Sequence, residues 1–174
     1  MVIQDGKTKV AQYGQWGGYP SGQGLVALNF LRGADMGKFG EQLKKCRFLS
    51  DSDEDKAYIK SVDETNNWQA CYPALTRDTA AEILSVIYRS TEPEIILKDD
   101  SEFAADSLFC EWAYVVDLDK GTFEVFKGFN ESPLPEGERF SQMPQGEDRG
   151  YWPVKLVATF DLSSLPDTAE FLDR

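Results

Sequence analysis

An alternating pattern of apolar residues in the second half of the chain constrains the fold most. An apolar side chain stands at every second position from residue 108 to residue 118, and the turn-forming residues 119–121 (Asp-Lys-Gly) follow. Phe123 and Val125 continue the alternation after the turn. Because successive side chains of a strand point to opposite faces of a sheet, the pattern predicts a β-hairpin with one apolar face. The alternating residues before the turn are Leu108, Cys110, Trp112, Tyr114, Val116 and Leu118.

Helical patterns fill much of the first half of the chain. Apolar residues at helical spacing predict one helix that begins near Gly24 and a second that is capped by Asp35. The strongest helical pattern covers residues 76–90, with Thr76 or Asp78 as the N-cap. A short helix is also predicted around residues 53–62, and a short terminal helix is expected to follow Asp167.

Strand formers predict strands over residues 8–16, 94–98 and 154–162, in addition to the hairpin. A chain of 174 residues is long enough for one hydrophobic core. The sequence therefore predicts a single globular α+β domain over residues 1–174. Its sheet should be largely antiparallel, carry the hairpin in its C-terminal half and be covered by about three helices.

Residues 13–24, with the sequence YGQWGGYPSGQG, contain five glycines, one proline and three aromatic residues. Such a stretch predicts a tight corner between a strand and a helix, with positive φ at one or more of its last four glycines. Gly22 and Gly24 also match the pattern G-x-G-x-x-A, which can hold a phosphate at a helix start. The region around Glu41 is predicted as helix, which argues against a dinucleotide site and leaves a smaller anion as an alternative.

The same stretch supplies the predicted binding residues. Trp16 and Tyr19 are expected at the rim of a functional surface, because exposed aromatic residues on a rigid loop make good contact anchors. The long segment 129–153 has four prolines, the last of them Pro153, and no sustained apolar period, and we expect it to complete the site. The predicted binding residues are Trp16, Tyr19, Gly22, Gly24, Tyr151 and Trp152.

The residue types limit the chemistry. The chain has no histidine, which excludes Ser-His-Asp and Cys-His catalysis and histidine-bound zinc. Its three cysteines have spacings that fit neither a disulfide framework nor a zinc knuckle, so reduced and mostly buried thiols are expected. The run Asp51, Asp53, Asp55 begins like a calcium loop but lacks the required glycine and glutamate. We therefore predict no catalytic residue, no metal and no cofactor, while carboxylate pairs near the hairpin remain an alternative.

Charge indicates the kind of partner. The formal net charge of -12 opposes direct binding to nucleic acids and to anionic membranes. An acidic surface can instead bind a protein with a basic surface. The sequence shows no apolar run that could span a membrane and no secretory signal, so a soluble cytoplasmic protein is expected.

Two motifs, VAQYGQWGGYPSGQG and FCEWAYVVDLDKGTFEVF, resemble an uncharacterised family of small soluble bacterial, phage and fungal proteins with the signature YGQWxGYPxGxG. The family's variable position often holds aspartate, where this chain has Gly17. The resemblance implies a shared fold and no particular activity.

Two functions follow as hypotheses. The first is an acidic protein-interaction module, such as an inhibitor or immunity factor from a phage or mobile element, that acts on a basic partner. The alternative is a small enzyme or ligand-binding domain that uses the glycine-rich stretch and carboxylates. The missing histidine favours the module over the enzyme.

Overall fold

The computed structural model describes residues 1–146 and 150–173. Seven strands are found there: β1 (Val2–Gln4), β2 (Lys7–Val10), β3 (Cys46–Phe48), β4 (Ile95–Leu97), β5 (Trp112–Asp117), β6 (Thr122–Lys127) and β7 (Lys155–Asp161). Five of them form the main sheet in the order β2-β1-β5-β6-β7, and β3 and β4 form a small parallel pair. Only the β1–β5 pair of the main sheet is parallel among the described strands. The predicted α+β class with a largely antiparallel sheet is confirmed.

The α-helices of the described residues are α1 (Leu25–Gly33), α2 (Met36–Lys44), α3 (Asp53–Asp63), α4 (Trp68–Cys71), α5 (Ile83–Arg89) and α6 (Thr168–Leu172). Two predicted N-caps are confirmed, since the Asp35 carboxylate accepts a hydrogen bond from the amide of Lys38 and that of Asp167 accepts one from Glu170. Each bond satisfies an amide that has no partner within its helix.

The predicted hairpin is β5 and β6, with Val116 opposite Phe123 and Asp117 opposite Thr122. One part of its predicted pattern is wrong. Trp112, Tyr114 and Val116 face the core under the helices, but Cys110 belongs to the core on the other side of the sheet. The reason is that β5 begins at Trp112, so the alternation of a strand does not extend back to Cys110.

The predicted first strand is shorter than the sequence suggests. It ends at Val10 rather than at residue 16, and it pairs with β1, a strand that was not predicted. Asp5 and Gly6 form the tight turn between them with positive φ, and the Asp119 carboxylate accepts hydrogen bonds from both amides. After the strand, Ala11 forms an isolated parallel β-bridge with Asp99, and the glycine-rich stretch follows.

The strongest predicted helix begins later than expected. A short 3-10 turn, Ala80–Glu82, precedes α5, and Ala80 has a left-handed backbone with φ of 45°. Because this conformation interrupts a helix, Thr76 and Asp78 do not act as its N-caps; the Thr76 hydroxyl instead accepts a hydrogen bond from the Asp78 amide.

The main sheet has a hydrophobic core on each face. The helical face packs α1, α2, α5 and α6 against residues such as Val116, Phe123 and Phe160. On the opposite face, Val115 and Phe126 pack against Phe140 and Val154. Phe140 lies in the long segment 129–153, and Val154 directly follows it. The long segment therefore covers the second face of the sheet, where a helix often lies. Residues 147–149 of this segment are outside the described part of the chain.

Candidate functional site

The glycine-rich stretch joins β2 to α1, as predicted, and includes an irregular helical turn, Pro20–Gly24. Gly17 has φ of 67°, which confirms that at least one of its last four glycines has positive φ. Gly22 and Gly24 are needed for a different reason. A Cβ atom on Gly22 would lie 2.3 Å from the Gly17 carbonyl oxygen, and one on Gly24 would lie 2.8 Å from the Tyr114 hydroxyl. These glycines permit close packing of the loop on itself and on β5.

Several hydrogen bonds hold the stretch in place. The Tyr114 hydroxyl donates to the Gly18 carbonyl at 2.8 Å. The Gln23 amide donates to the Gly17 carbonyl at 2.9 Å, and the Gln23 side-chain oxygen accepts from the Ala81 amide at 3.0 Å. The loop is thus bound to the sheet and to the start of α5, which fixes its shape before any ligand or partner arrives.

The two predicted aromatic anchors are exposed. Trp16 is 73% exposed and Tyr19 is 53% exposed, although the backbone that carries them is hydrogen-bonded. Tyr151 and Trp152 are half-buried in the long segment, where the Trp152 amide donates to the Asn130 carbonyl at 2.7 Å. Within the described residues, no hydrogen bond or ring contact joins Trp16 or Tyr19 to this pair. Tyr13 of the glycine-rich stretch, however, lines a surface groove together with residues 142–146 of the long segment, so the two segments meet there.

A cavity of about 130 Å³ lies beneath the glycine-rich stretch. It is located beside the edge of β5, because β1 pairs with β5 only at Val116 and Asp117 and leaves the first residues of β5 without a strand on that side. Its wall comes from both cores, and its apolar members include Val10, Ala27, Leu84, Phe103, Ala104, Trp112, Val116 and Phe123. An apolar cavity with few polar groups is the usual form of a small-molecule site.

Asp100 lies where the cavity meets the surface. It lines the cavity and also two surface grooves, one shared with Arg77 and Lys98 and the other with Glu102 and Asp106. Its Oδ2 accepts a hydrogen bond from the amide of Tyr13 at 3.0 Å. The position of Asp100 makes its carboxylate accessible both to the cavity and to solvent.

Aromatic rings and a strained residue complete the wall. The rings of Tyr13 and Phe103 pack with their centroids 4.4 Å apart. Both line the cavity and the groove that contains Glu102 and Asp106, which we call the acidic groove. Ala80, with its left-handed backbone, lies so close to Gly14 that a Cβ on Gly14 would be 2.7 Å from the Ala80 Cβ. Left-handed backbone is costly at a residue other than glycine, so the contacts around Ala80 must hold it in this conformation.

The thiol in the cavity is unsuited to nucleophilic chemistry. Burial, with a smaller contribution from Asp106, raises the pKa of Cys110 to about 12, so the sulfur is protonated at neutral pH. Its Sγ lies 3.6 Å from the Trp112 carbonyl oxygen. Cys46 is also buried, while Cys71 is exposed.

Two of the carboxylates near the hairpin form an ion-pair cluster with an arginine. Asp117 and Glu124 both bind Arg139 of the long segment, at 2.6 Å and 2.7 Å. Burial alone would raise the pKa of Asp117, but hydrogen bonds from the Lys120 amide, Arg139 and the Asp119 amide lower it below its usual value. A general acid at neutral pH needs the opposite shift, so Asp117 is unsuited to that role.

Tyr13, Asp100 and Phe103 were not singled out from the sequence. Asp99 and Asp100 directly follow the apolar strand residues 95–97, and polar residues at a strand end are a signal for a site, but so short a strand gives it little weight. Over the described residues, no group of three or more cysteine or acidic side chains is arranged to hold a metal ion. No described helix is both long and apolar enough to cross a membrane.

Comparison with known proteins adds no relative: no family model, no curated protein and no solved structure matches the chain.

Proposed function

We propose that the protein is an acidic protein-interaction module that binds a basic protein through Trp16 and Tyr19. The observation that carries the proposal is the exposure of two large aromatic side chains on a loop that is held by hydrogen bonds. Aromatic residues on a pre-organised loop contribute strongly to binding, because little conformational entropy is lost when they are covered.

Charge supports a basic partner. The chain has 30 acidic and 18 basic residues. Helix α6 contacts the Pro20–Gly24 turn next to Tyr19, and it carries the exposed residues Glu170 and Leu172. An apolar contact on an acidic protein, with Glu170 on a neighbouring helix, suits a partner with a basic rim, and the long-range field would speed its association.

Two finer proposals accompany this one. The first is that the protein inhibits or neutralises its partner, as an immunity factor from a phage or mobile element does. The proposed compartment is the cytoplasm, supported by three cysteines that form no disulfide with one another.

The test is an affinity capture from the native host with three baits: the wild type, the double variant W16A/Y19A and the control F109A. Phe109 is 64% exposed but lies outside the glycine-rich stretch. We expect the wild type and F109A to retain the same basic proteins at low salt and the double variant to lose them. Retention should fall steeply by about 0.5 M salt, where the screening length is roughly 4 Å. Equal capture by the double variant, or capture that is insensitive to salt, would contradict the proposal.

A second candidate, a ligand-binding domain, is favoured by the cavity of about 130 Å³ beneath the glycine-rich stretch. Trp16 and Tyr19 do not line it, so the two functions would use different parts of the same loop.

A further inference from the structure

The cavity beneath the glycine-rich stretch has one charged side chain among the described residues that line it, and that side chain is Asp100. For three other groups in the wall, burial shifts the pKa against the charged form. Burial raises the pKa of the Cys110 thiol and of the Tyr114 hydroxyl, and it lowers the pKa of the Met1 amino group to about 5. A ligand in this cavity therefore meets a mostly apolar wall in which Asp100 is the one charged side chain among the described residues.

From this we infer that the cavity binds a small organic cation, a primary amine on a compact aromatic body, whose ammonium group pairs with Asp100. The inference deepens the second candidate function and does not depend on the proposed protein partner.

The Asp100 carboxylate has an oxygen available for the ammonium group. Its Oδ2 accepts from the Tyr13 amide, whereas Oδ1 accepts no hydrogen bond from any described residue. The neighbouring rings of Tyr13 and Phe103 add aromatic surface close to the same carboxylate. A cation beside a carboxylate and aromatic rings gains both a charge-assisted hydrogen bond and a cation–π contact.

The size of the cavity sets the size of the apolar body. An apolar cavity of roughly 150 Å³ is known to hold benzene, and this one measures about 130 Å³. The ligand should therefore carry one small ring and no second ring. The hydrogen bonds of the glycine-rich stretch keep the wall in place, so binding needs little rearrangement.

The acidic groove provides a route for a cation. It runs from Asp100 past Asp99, Glu102 and Asp106, and it shares Tyr13 and Phe103 with the cavity. The other groove at Asp100 is less suited to a cation, because Arg77 and Lys98 balance the charges of Asp78 and Asp100 there. The net charge of -12 further raises the local concentration of cations.

The experiment titrates the full chain with three ligands of equal shape: benzylamine, benzyl alcohol and benzoate. Isothermal calorimetry gives affinities, and methyl NMR shifts of Ala27 and Val116, both in the cavity wall, report the location. Benzylamine should bind at least about tenfold more tightly than benzyl alcohol, as expected for a hydrogen-bonded charge. Benzoate should bind most weakly.

Matched variants assign the roles. Asp100→Asn keeps an oxygen for the Tyr13 amide but removes the charge, so it should weaken benzylamine about tenfold and leave benzyl alcohol unchanged. Asp51→Asn is the control for the same change in net charge, because Asp51 is exposed and lines neither the cavity nor either groove. Ala81→Leu should block all three ligands, whereas Ala74→Leu, a half-buried alanine outside the cavity, should not.

Three results would overturn the inference: benzoate binding as tightly as benzylamine, Asp100→Asn retaining wild-type affinity for benzylamine, or no shift of the cavity methyl groups up to about 10 mM ligand. Urea unfolding of each variant confirms that it is folded. None of these results alters the capture test of the protein partner, since Trp16 and Tyr19 lie outside the cavity wall.

Discussion

At the residue scale, Asp55 shows how an acidic run acquires a structural role. The run Asp51, Asp53, Asp55 resembles the start of a calcium loop, but the structure buries Asp55 against Arg47. Two hydrogen bonds of 2.8 and 2.9 Å join the guanidinium to the carboxylate, and the amide and hydroxyl of Ser50 also donate to it. Asp55 therefore ties the end of β3 to the beginning of α3.

Acid should weaken this tie. The Arg47 guanidinium, together with the Ser50 amide and hydroxyl, holds the pKa of Asp55 far below its usual value. A lowered pKa in the folded state means that Asp55 contributes stability above its unfolded pKa of about 4 and that this contribution is lost as the pH falls. As the pH is lowered from about 5 to about 2, the free energy of unfolding measured in urea should fall less for Asp55→Asn than for the wild type.

Asp51→Asn is the control for this measurement, because Asp51 is exposed and lies outside the ion pair. It should retain the pH dependence of the wild type. If Asp55→Asn and the wild type show the same dependence, the ion pair does not account for the acid sensitivity.

At the scale of elements, the glycine-rich stretch depends on contacts with β5 and with the start of α5. Gly14 lies against Ala80, Gly18 accepts from Tyr114, and Gly24 lies against the Tyr114 ring. The stretch is rich in glycine chiefly because side chains would collide with these neighbours, and positive φ is needed only at Gly17 among its glycines.

Two glycines at opposite ends of α1 separate these effects. A Cβ on Gly24 would lie 2.8 Å from the Tyr114 hydroxyl, whereas one on Gly33 would have no atom within 4 Å. Gly24→Ala should therefore destabilise the protein by about 1–3 kcal/mol through overpacking, while Gly33→Ala should be neutral or stabilise it by about 0.5 kcal/mol. Urea unfolding measures both, and equal effects of the two substitutions would refute the close-packing explanation.

At the scale of the whole molecule, the long segment serves as the cover of the second core. Phe140 packs edge-on against Phe126 with ring centroids 4.9 Å apart. The adjacent Arg139 binds Asp117 and Glu124, which are both buried in the sheet. An apolar contact and an ion-pair cluster thus fasten the segment at neighbouring positions.

Removal of Arg139 should leave two buried carboxylates without a counter-charge. Arg139→Met is expected to cost about 3 kcal/mol, the lower part of the range for breaking a buried ion pair. Arg89→Met, at an exposed arginine with no ion pair among the described residues, should change stability by less than about 0.5 kcal/mol. Addition of Asp117→Asn and Glu124→Gln to Arg139→Met should restore part of the loss. Equal stability of the two arginine variants in urea unfolding would contradict this role.

The sequence by itself determined the elements whose signals are local. Alternation set the hairpin, helical spacing and capping residues set α1, α2 and α6, and the glycine-rich corner followed from its composition. Each of these signals depends on residues only a few positions apart, so it can be recognised from periodicity and capping residues in the sequence.

Only the tertiary structure decided where segments distant in the sequence meet. It places Cys110 in the second core, ends the first strand at Val10, begins the strongest helix at Ile83 and lays part of the long segment over the second face of the sheet. The cavity also depends on such contacts. Tyr13, Asp100 and Trp112 lie far apart in the sequence and meet around the gap that the short strand β1 leaves beside β5. Such contacts depend on long-range packing and on where each strand ends, which no local pattern encodes.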